Sequence, residues 1–482
     1  MLDTDKLREA FPNTTIYKDQ SIMAIFKAAS ISGFLRDWIL KKQAGPDGKI
    51  ADPAALQAYF AQLIPGRDQT FKLKSRAQEG GTRKFLARIE TEFNVSGGYY
   101  SFAIPDLGIQ HSQTLIEFYI WDKIKTEVVQ KAGGWGLIQL GYVKDNEKSG
   151  GGKLTLLDFK NFCPYKVDIE AYREARKKFT TEEWMDVLLG AIDYNADGYG
   201  HDSWVAKHTM LTRLLPFIAP RINLVELAPK GTGKSYLFGS VGKYGWLASG
   251  GTLTRAKMFS DINGKQPGLV ASNDFVALDE IQSIRFPDPG EMQGALKAYM
   301  ESGEATLGKT RIVGEAGIIL LGNIPFEQMD ETQDMFRNLP EVFHESALLD
   351  RFHGFIRGRD IPRMSENLVI NGWALNTEYF TEIMHLLRSS AECMTYRNVV
   401  EQLVTYSDNA DFRSKEAILR LCTAYLKLFF PHAVSPELVD KAEFHQYCLR
   451  PAINMRSVIW RQLQIIDPKE FGNKKLGEYT VK

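Results

Sequence analysis

The sequence predicts an α/β fold, with a parallel sheet, a helical lid after it and a mixed α+β region before it. Three observations carry this. Short apolar strands alternate with helices from Leu214 onward, a glycine-rich turn joins the first of those strands to a helix, and residues 379–463 are almost wholly helical. Short buried strands separated by helices are the pattern of a parallel sheet covered on both faces.

The elements follow in order. Residues 21–42 and 53–63 have helical periodicity, whereas 71–74, 84–89 and 135–143 read as strands. Residues 114–131 form a helix whose Leu115, Phe118, Trp121, Ile124 and Val128 make a core face. Glycines after a polar run mark 145–152, DNEKSGGG, as a linker. Two helices occupy 167–190, the second capped by Thr180 or Thr181. Strands at 222–227, 275–278 and 317–321 build the sheet. The expected domains are a mixed DNA-binding region over 1–146, a linker with connecting helices over 147–205, a core over 206–376, and a lid with tail over 377–482.

Composition narrows the partners. Fifty-nine basic and 59 acidic residues cancel, so any nucleic-acid contact must come from local clusters. Cys163, Cys393, Cys422 and Cys448 have no paired spacing, which excludes a cysteine zinc ribbon and reads as small buried hydrophobes. The start, MLDTDKLREAF, puts acids where a signal peptide carries bases, and no apolar run reaches the ~20 residues of a membrane span. A soluble, cytoplasmic protein with no membrane partner is expected.

The chemistry concentrates in four pieces. In ELAPKGTGKSYLF, which follows the strand INLVEL, residues Pro229, Lys230, Gly231, Thr232, Gly233, Lys234, Ser235 and Tyr236 form a phosphate-binding loop for ATP. Lys234 is placed to neutralise the β- and γ-phosphates and Ser235 to ligate Mg²⁺. Ala228 stands where the motif usually has its first glycine. FVALDE supplies Asp279 as the second Mg²⁺ ligand, 45 residues after Lys234, and Glu280 to polarise the attacking water. IILLGN ends on Asn323, a water-positioning amide at the tip of a buried strand. LLDRFHGF offers Arg351, either a finger for a neighbouring subunit's γ-phosphate or a surface ion pair with Asp350.

This order of pieces resembles the AAA+ superfamily, in particular the branch with a β-hairpin just before the asparagine strand. MCM helicases and magnesium-chelatase-like motors belong there. ALKAYMESGEATLGKTRIVGEAGIILLGN looks like that helix, hairpin and strand, which puts Lys309 and Arg311 on a hairpin that in the family lines a pore and grips DNA. NFCPYKVD, FTTEEWMDVLLGAIDYNADGYG, ELAPKGTGKSY and RPAINMRSVIWRQL resemble more closely the BrxL family, Lon-like AAA+ proteins of BREX phage-defence systems. The resemblance implies phage restriction, double-stranded DNA as partner, and a homo-oligomeric, hexameric ring, with stacked rings and other BREX proteins as further partners. It also implies a lid arginine on the nucleotide, Arg456, with Arg413 as second candidate. Only about 20 residues follow Leu463, too few for the family's Lon-type domain, so no serine–lysine peptidase dyad is expected.

Two signals are discounted. DYNADGYGHDSW has Asp193, Asn195, Asp197 and Gly198 in the register of a calcium loop but Trp204 at the twelfth position, and His344 with Glu345 lacks a zinc peptidase's second histidine. A third is kept: residues 67–88 hold seven bases against two acids, and Lys72, Lys74 and Arg76 alternate, so on a strand they project from one face toward phosphates. Neither basic cluster interleaves aromatics, which favours duplex over single strand. Two other readings stay open: a Lon-like unfoldase, and a DNA-binding scaffold whose ATP site controls only assembly.

Overall fold

A computed structural model of the chain describes residues 2–29, 31–81, 83–94, 97–128, 134–144, 151–162, 167–200, 203–260, 268–307 and 310–482. There are two compact units, one being Gln43–Lys166 and the other Met1–Lys42 together with Val167–Lys482. The first 42 residues thus pack with the larger unit and not with the rest of the region expected over 1–146. Two features hold them there. Strand β1 (Thr15–Lys18) pairs with a strand more than 350 residues later, and Lys18, fully buried, ion-pairs with Asp193 at 2.7 Å. Of the expected linker, residues 145–150 lie outside the described ones, and Gly152 opens a strand.

The smaller unit is a barrel of β2 (Lys84–Asn94), β3 (Tyr99–Ala103), β4 (Thr114–Leu115), β5 (Gly134–Lys144) and β6 (Gly152–Asn161), ordered β3-β2-β5-β6-β4. Only β4 and β6 pair in parallel, and an antiparallel bridge from Tyr100 to Ile116 brings β3 round to the end of β4. With the helix Phe118–Val128 between the third and fourth strands, this is the connectivity of an OB-fold. Phe85, Ile89, Phe102, Ile138, Leu156 and Phe159 fill the barrel. The expected strand at 71–74 is instead the helix Thr70–Gln78. Its only buried residues, Leu73 and Ala77, are spaced four apart, and the segment is rich in good helix formers; the alternation of Lys72, Lys74 and Arg76 was a coincidence of charge, not of burial.

The larger unit is built on a parallel sheet of β7 (Leu224–Ala228), β8 (Gly245–Thr252), β9 (Phe275–Arg285), β12 (Gly317–Asn323) and β13 (Gly354–Arg357), ordered β13-β7-β12-β9-β8. All five residues of β7 are buried, as a sheet covered on both faces requires. The hairpin β10 (Glu304–Leu307) and β11 (Thr310–Val313) directly precedes β12, as the resemblance implied. β14 (Gly372–Leu375) is the partner of β1. The lid is helical from Thr377–Leu386 to Arg450–Ile466. Thr180 makes the capping box with Glu183 that opens Thr181–Ala191. Among the described residues no helix is long and apolar enough to cross a membrane.

Candidate ATPase site

The carboxyl ends of three adjacent strands meet at one place. Asn323 of β12 lies opposite Ala228 of β7, and Leu320 opposite Leu278 of β9, so the phosphate loop, the asparagine and the acid pair emerge side by side. Open α/β sheets bind ligands at such ends. Gly231 and Gly233 have φ of +82° and +79°, and a Cβ on Gly233 would fall 2.1 Å from the Tyr194 hydroxyl, so only glycine fits. Lys234, buried, donates from Nζ to the Pro229 carbonyl at 3.2 Å and to Asn323 Oδ1 at 3.0 Å. Burial holds its ammonium below the usual lysine pKa. Ser235 Oγ donates to Asp279 Oδ2. These two hard oxygens fit Mg²⁺, which takes one or two protein oxygens and completes its shell with water and phosphate. Glu280 is exposed at φ +49°, a left-handed conformation costing a non-glycine residue roughly 1–2 kcal/mol. Its N–H donates to Asp279 Oδ1 at 2.9 Å, and among the described residues its carboxylate has no partner. The kink turns that carboxylate out of the strand line and leaves it open to a water.

Arg351 lies elsewhere. It precedes β13, whose first residue, Gly354, aligns with Leu224 at the start of β7, so it sits at the amino ends of the strands. Its Nε lies 3.1 Å from both the Lys297 carbonyl and Glu301 Oε2, rather than pairing with Asp350. The expectation for Arg456 is corrected. It is fully buried, and its guanidinium bonds to Ser414 Oγ at 3.1 Å, the Asp350 and Phe352 carbonyls at 2.9 and 2.8 Å, and the Asp350 carboxylate. Four of its five N–H groups are bonded within the chain and the side chain is closed to solvent, so it does not face a nucleotide. It belongs to the buried face of its helix, where it holds the lid to the segment that carries Arg351. Arg413 joins the same cluster, 3.1 Å from Asp350 and 3.0 Å from Glu301.

Two family models match the chain. That for the ATPase domain of Lon-like protease BrxL-like proteins covers residues 154–477, and that for the N-terminal region of the BREX system Lon protease-like protein BrxL covers 9–142. The chain belongs to the BrxL family. It is similar to the Lon-like protease BrxL of Escherichia coli O9:H4 (strain HS), 29% identical over 491 residues that cover 98% of this chain and 68% of that protein. It is also similar to the Lon-like protease BrxL of Bacillus cereus (strain H3081.97), 27% identical over 475 residues, or 97% and 67%. An ATPase domain of this family carries nucleotide-dependent activity, in keeping with the loop and acid pair.

What sequence reasoning missed is the frame behind the loop. Arg213 and Glu226, both fully buried, are ion-paired, and Arg213 donates to the Thr232 carbonyl at 2.7 Å and hydroxyl at 3.1 Å. The Tyr236 hydroxyl donates to Asp193, which also binds Arg36 and Lys18. Burial works to raise the Asp193 carboxyl, but Arg36 and Lys18 overcome it and hold the group well below the usual carboxylate range. The supposed calcium-loop aspartate is therefore a buried anchor of the phosphate loop. A glutamate inside the strand INLVEL was the one visible signal, since a carboxylate in a buried strand needs a partner.

Of the DNA candidates, Lys309 lies outside the described residues. Arg311 is exposed on β11 and ion-paired with Glu304 across the hairpin. Lys72 and Arg76 are exposed on their helix, and Lys74 donates to Gln113 at 3.1 Å.

Proposed function

We propose that the chain is a cytoplasmic ATP hydrolase that works as a homo-oligomeric ring around duplex DNA in BREX phage defence. The observation that carries the ring is the position of Arg351. A strand of five residues spans about 15 Å, and β13 and β7 put that length between Arg351 and the phosphate loop of its own chain. The guanidinium is thus beyond reach of its own nucleotide, which supports a role at a neighbour's.

Within one site, Lys234 holds the β- and γ-phosphates while Ser235 and Asp279 carry Mg²⁺, which supplies charge neutralisation as the γ-phosphoryl leaves. Glu280 orients and polarises the attacking water, and Asn323, already bonded to Lys234, fixes the geometry between lysine and water. Arg351 of the adjacent subunit completes the site. DNA enters through the hairpin: the Arg311–Glu304 pair is exposed and screened by water, so a phosphate can displace the glutamate.

The test is ATPase activity with and without duplex DNA, measured alongside solution mass. A ring-sized species whose turnover duplex stimulates is expected. A monomer that hydrolyses at full rate would overturn the ring, and duplex-independent turnover stimulated by an unfolded polypeptide would replace the DNA motor by the unfoldase.

A further inference from the structure

The barrel unit carries an aromatic surface that three separate chain segments build. Phe93, near the end of β2, lies in register with Tyr100 of β3, and their ring centroids are 4.7 Å apart. Tyr100 stacks on Trp121 at 3.8 Å with 14° between planes, and meets the edge of Phe118 at 5.8 Å. Phe93 is 43% exposed, Phe118 57%, and the neighbouring Tyr119 56%. Single exposed rings are ordinary on a protein surface, but a contiguous set is not. Cations border it. Lys123 lies 5.9 Å over the Tyr119 ring, and Lys125 lies within electrostatic reach of Tyr100. The nearby acids are Glu117 beside Tyr119, Asp122 paired with Lys125 at 2.9 Å, and Glu92 beside His111.

We infer that this surface binds single-stranded nucleic acid by stacking bases on Phe93 and Phe118, with Lys123 and Lys125 along the backbone path. A duplex hides its base faces, whereas an unpaired strand offers them to any exposed ring. The position agrees with the fold: barrels of this connectivity take oligonucleotides along the face of their second and third strands and the adjoining loops, and Tyr100 and Ile116 join those two strands here. This goes beyond the duplex reading above and uses different residues. It also explains why the basic clusters looked unsuited to single strands in the sequence: the rings come from segments far apart in the chain.

The experiment is fluorescence anisotropy of the full chain with labelled 20-mer oligo-dT, oligo-U and a 20-bp duplex. The wild type is compared with Phe93→Leu/Phe118→Leu, which keeps apolar bulk and removes the π-faces. Oligo-dT affinity is expected to fall at least tenfold, with melting temperature and duplex affinity unchanged; oligo-U, if it binds, should fall by the same factor, which leaves only the sugar preference to be read. No binding of oligo-dT by the wild type, full binding by the leucine variant, or an equal loss on duplex would each overturn the inference.

Discussion

At the carboxyl ends of the parallel sheet the chain gathers one buried lysine, a serine, two acids and an amide; at the amino end of β13 it gathers three arginines, Arg351, Arg413 and Arg456, around Asp350 and Glu301. The first end is held open, with Glu280 kinked outward and unpartnered among the described residues. The second is closed, because every arginine is already bonded within the chain. The difference teaches that a single chain keeps its cationic end occupied while its nucleotide end stays open; on the proposed reading the two are halves of one chemistry. On the proposed reading, assembly trades the Glu301–Arg351 contact for a phosphate.

The strongest way to break this comparison is to remove the trans arginine. Arg351→Ala should slow hydrolysis by about 10³–10⁵-fold, the range for a trans-acting arginine finger, while nucleotide stays bound. Mixing it with Lys234→Ala subunits should restore part of the rate, since some interfaces pair an intact loop with an intact arginine. Proven mixed rings without any recovery would sink the trans role. Within the first end, Glu280→Gln should keep nucleotide bound and stop turnover; hydrolysis at the normal rate would remove Glu280 from the water-polarising role.

Arg213→Met tests the frame rather than the chemistry. It leaves Glu226 buried without its partner, a loss of about 3–5 kcal/mol, to be read by chemical denaturation, and it frees Thr232, so nucleotide affinity should fall as well. Arg456→Ala sharpens the contrast. Asp350 would still have Arg413, so a smaller loss of stability is expected, with nucleotide affinity per folded molecule unchanged. A clear loss of affinity at normal stability would return Arg456 to the nucleotide.

The core of the site was legible because its chemistry is local. A glycine-rich turn, a strand ending in two acids and a strand ending in an amide each fit within a dozen residues, and their strands are buried enough to show as apolar runs. What stayed hidden depends on distant partners. Arg456 passes for a nucleotide-contacting lid arginine until Asp350 and the Phe352 carbonyl are seen against it, and Asp193, already discounted as a calcium ligand, has no visible role until Lys18 and Arg36, more than 150 residues earlier, are placed beside it. The place of the first 42 residues stayed hidden for the same reason, since β1 finds its pair only at β14. The segment 71–74 follows the burial of Leu73 and Ala77, four apart, and not the alternation of its charges.

The smallest expected effect separates three neighbouring bases. Helical residues advance about 100° each, so Lys72 and Arg76, four apart, share one exposed face, while Lys74 is turned about 200° from Lys72 and donates to Gln113. A duplex phosphate backbone lying on that face would contact the first two and miss the third. Each lost phosphate contact lowers the slope of log affinity against log salt by about 0.9. The pair Lys72→Ala and Arg76→Ala should therefore flatten the slope by about 2 units, and Lys74→Ala should leave it alone. Basal ATP hydrolysis should be unchanged in all three, because the helix belongs to the barrel unit and the catalytic groups to the other. Equal flattening by Lys74→Ala would mean that the strand does not lie on one face, and no salt-sensitive duplex binding by the wild type would remove this helix from the DNA reading altogether.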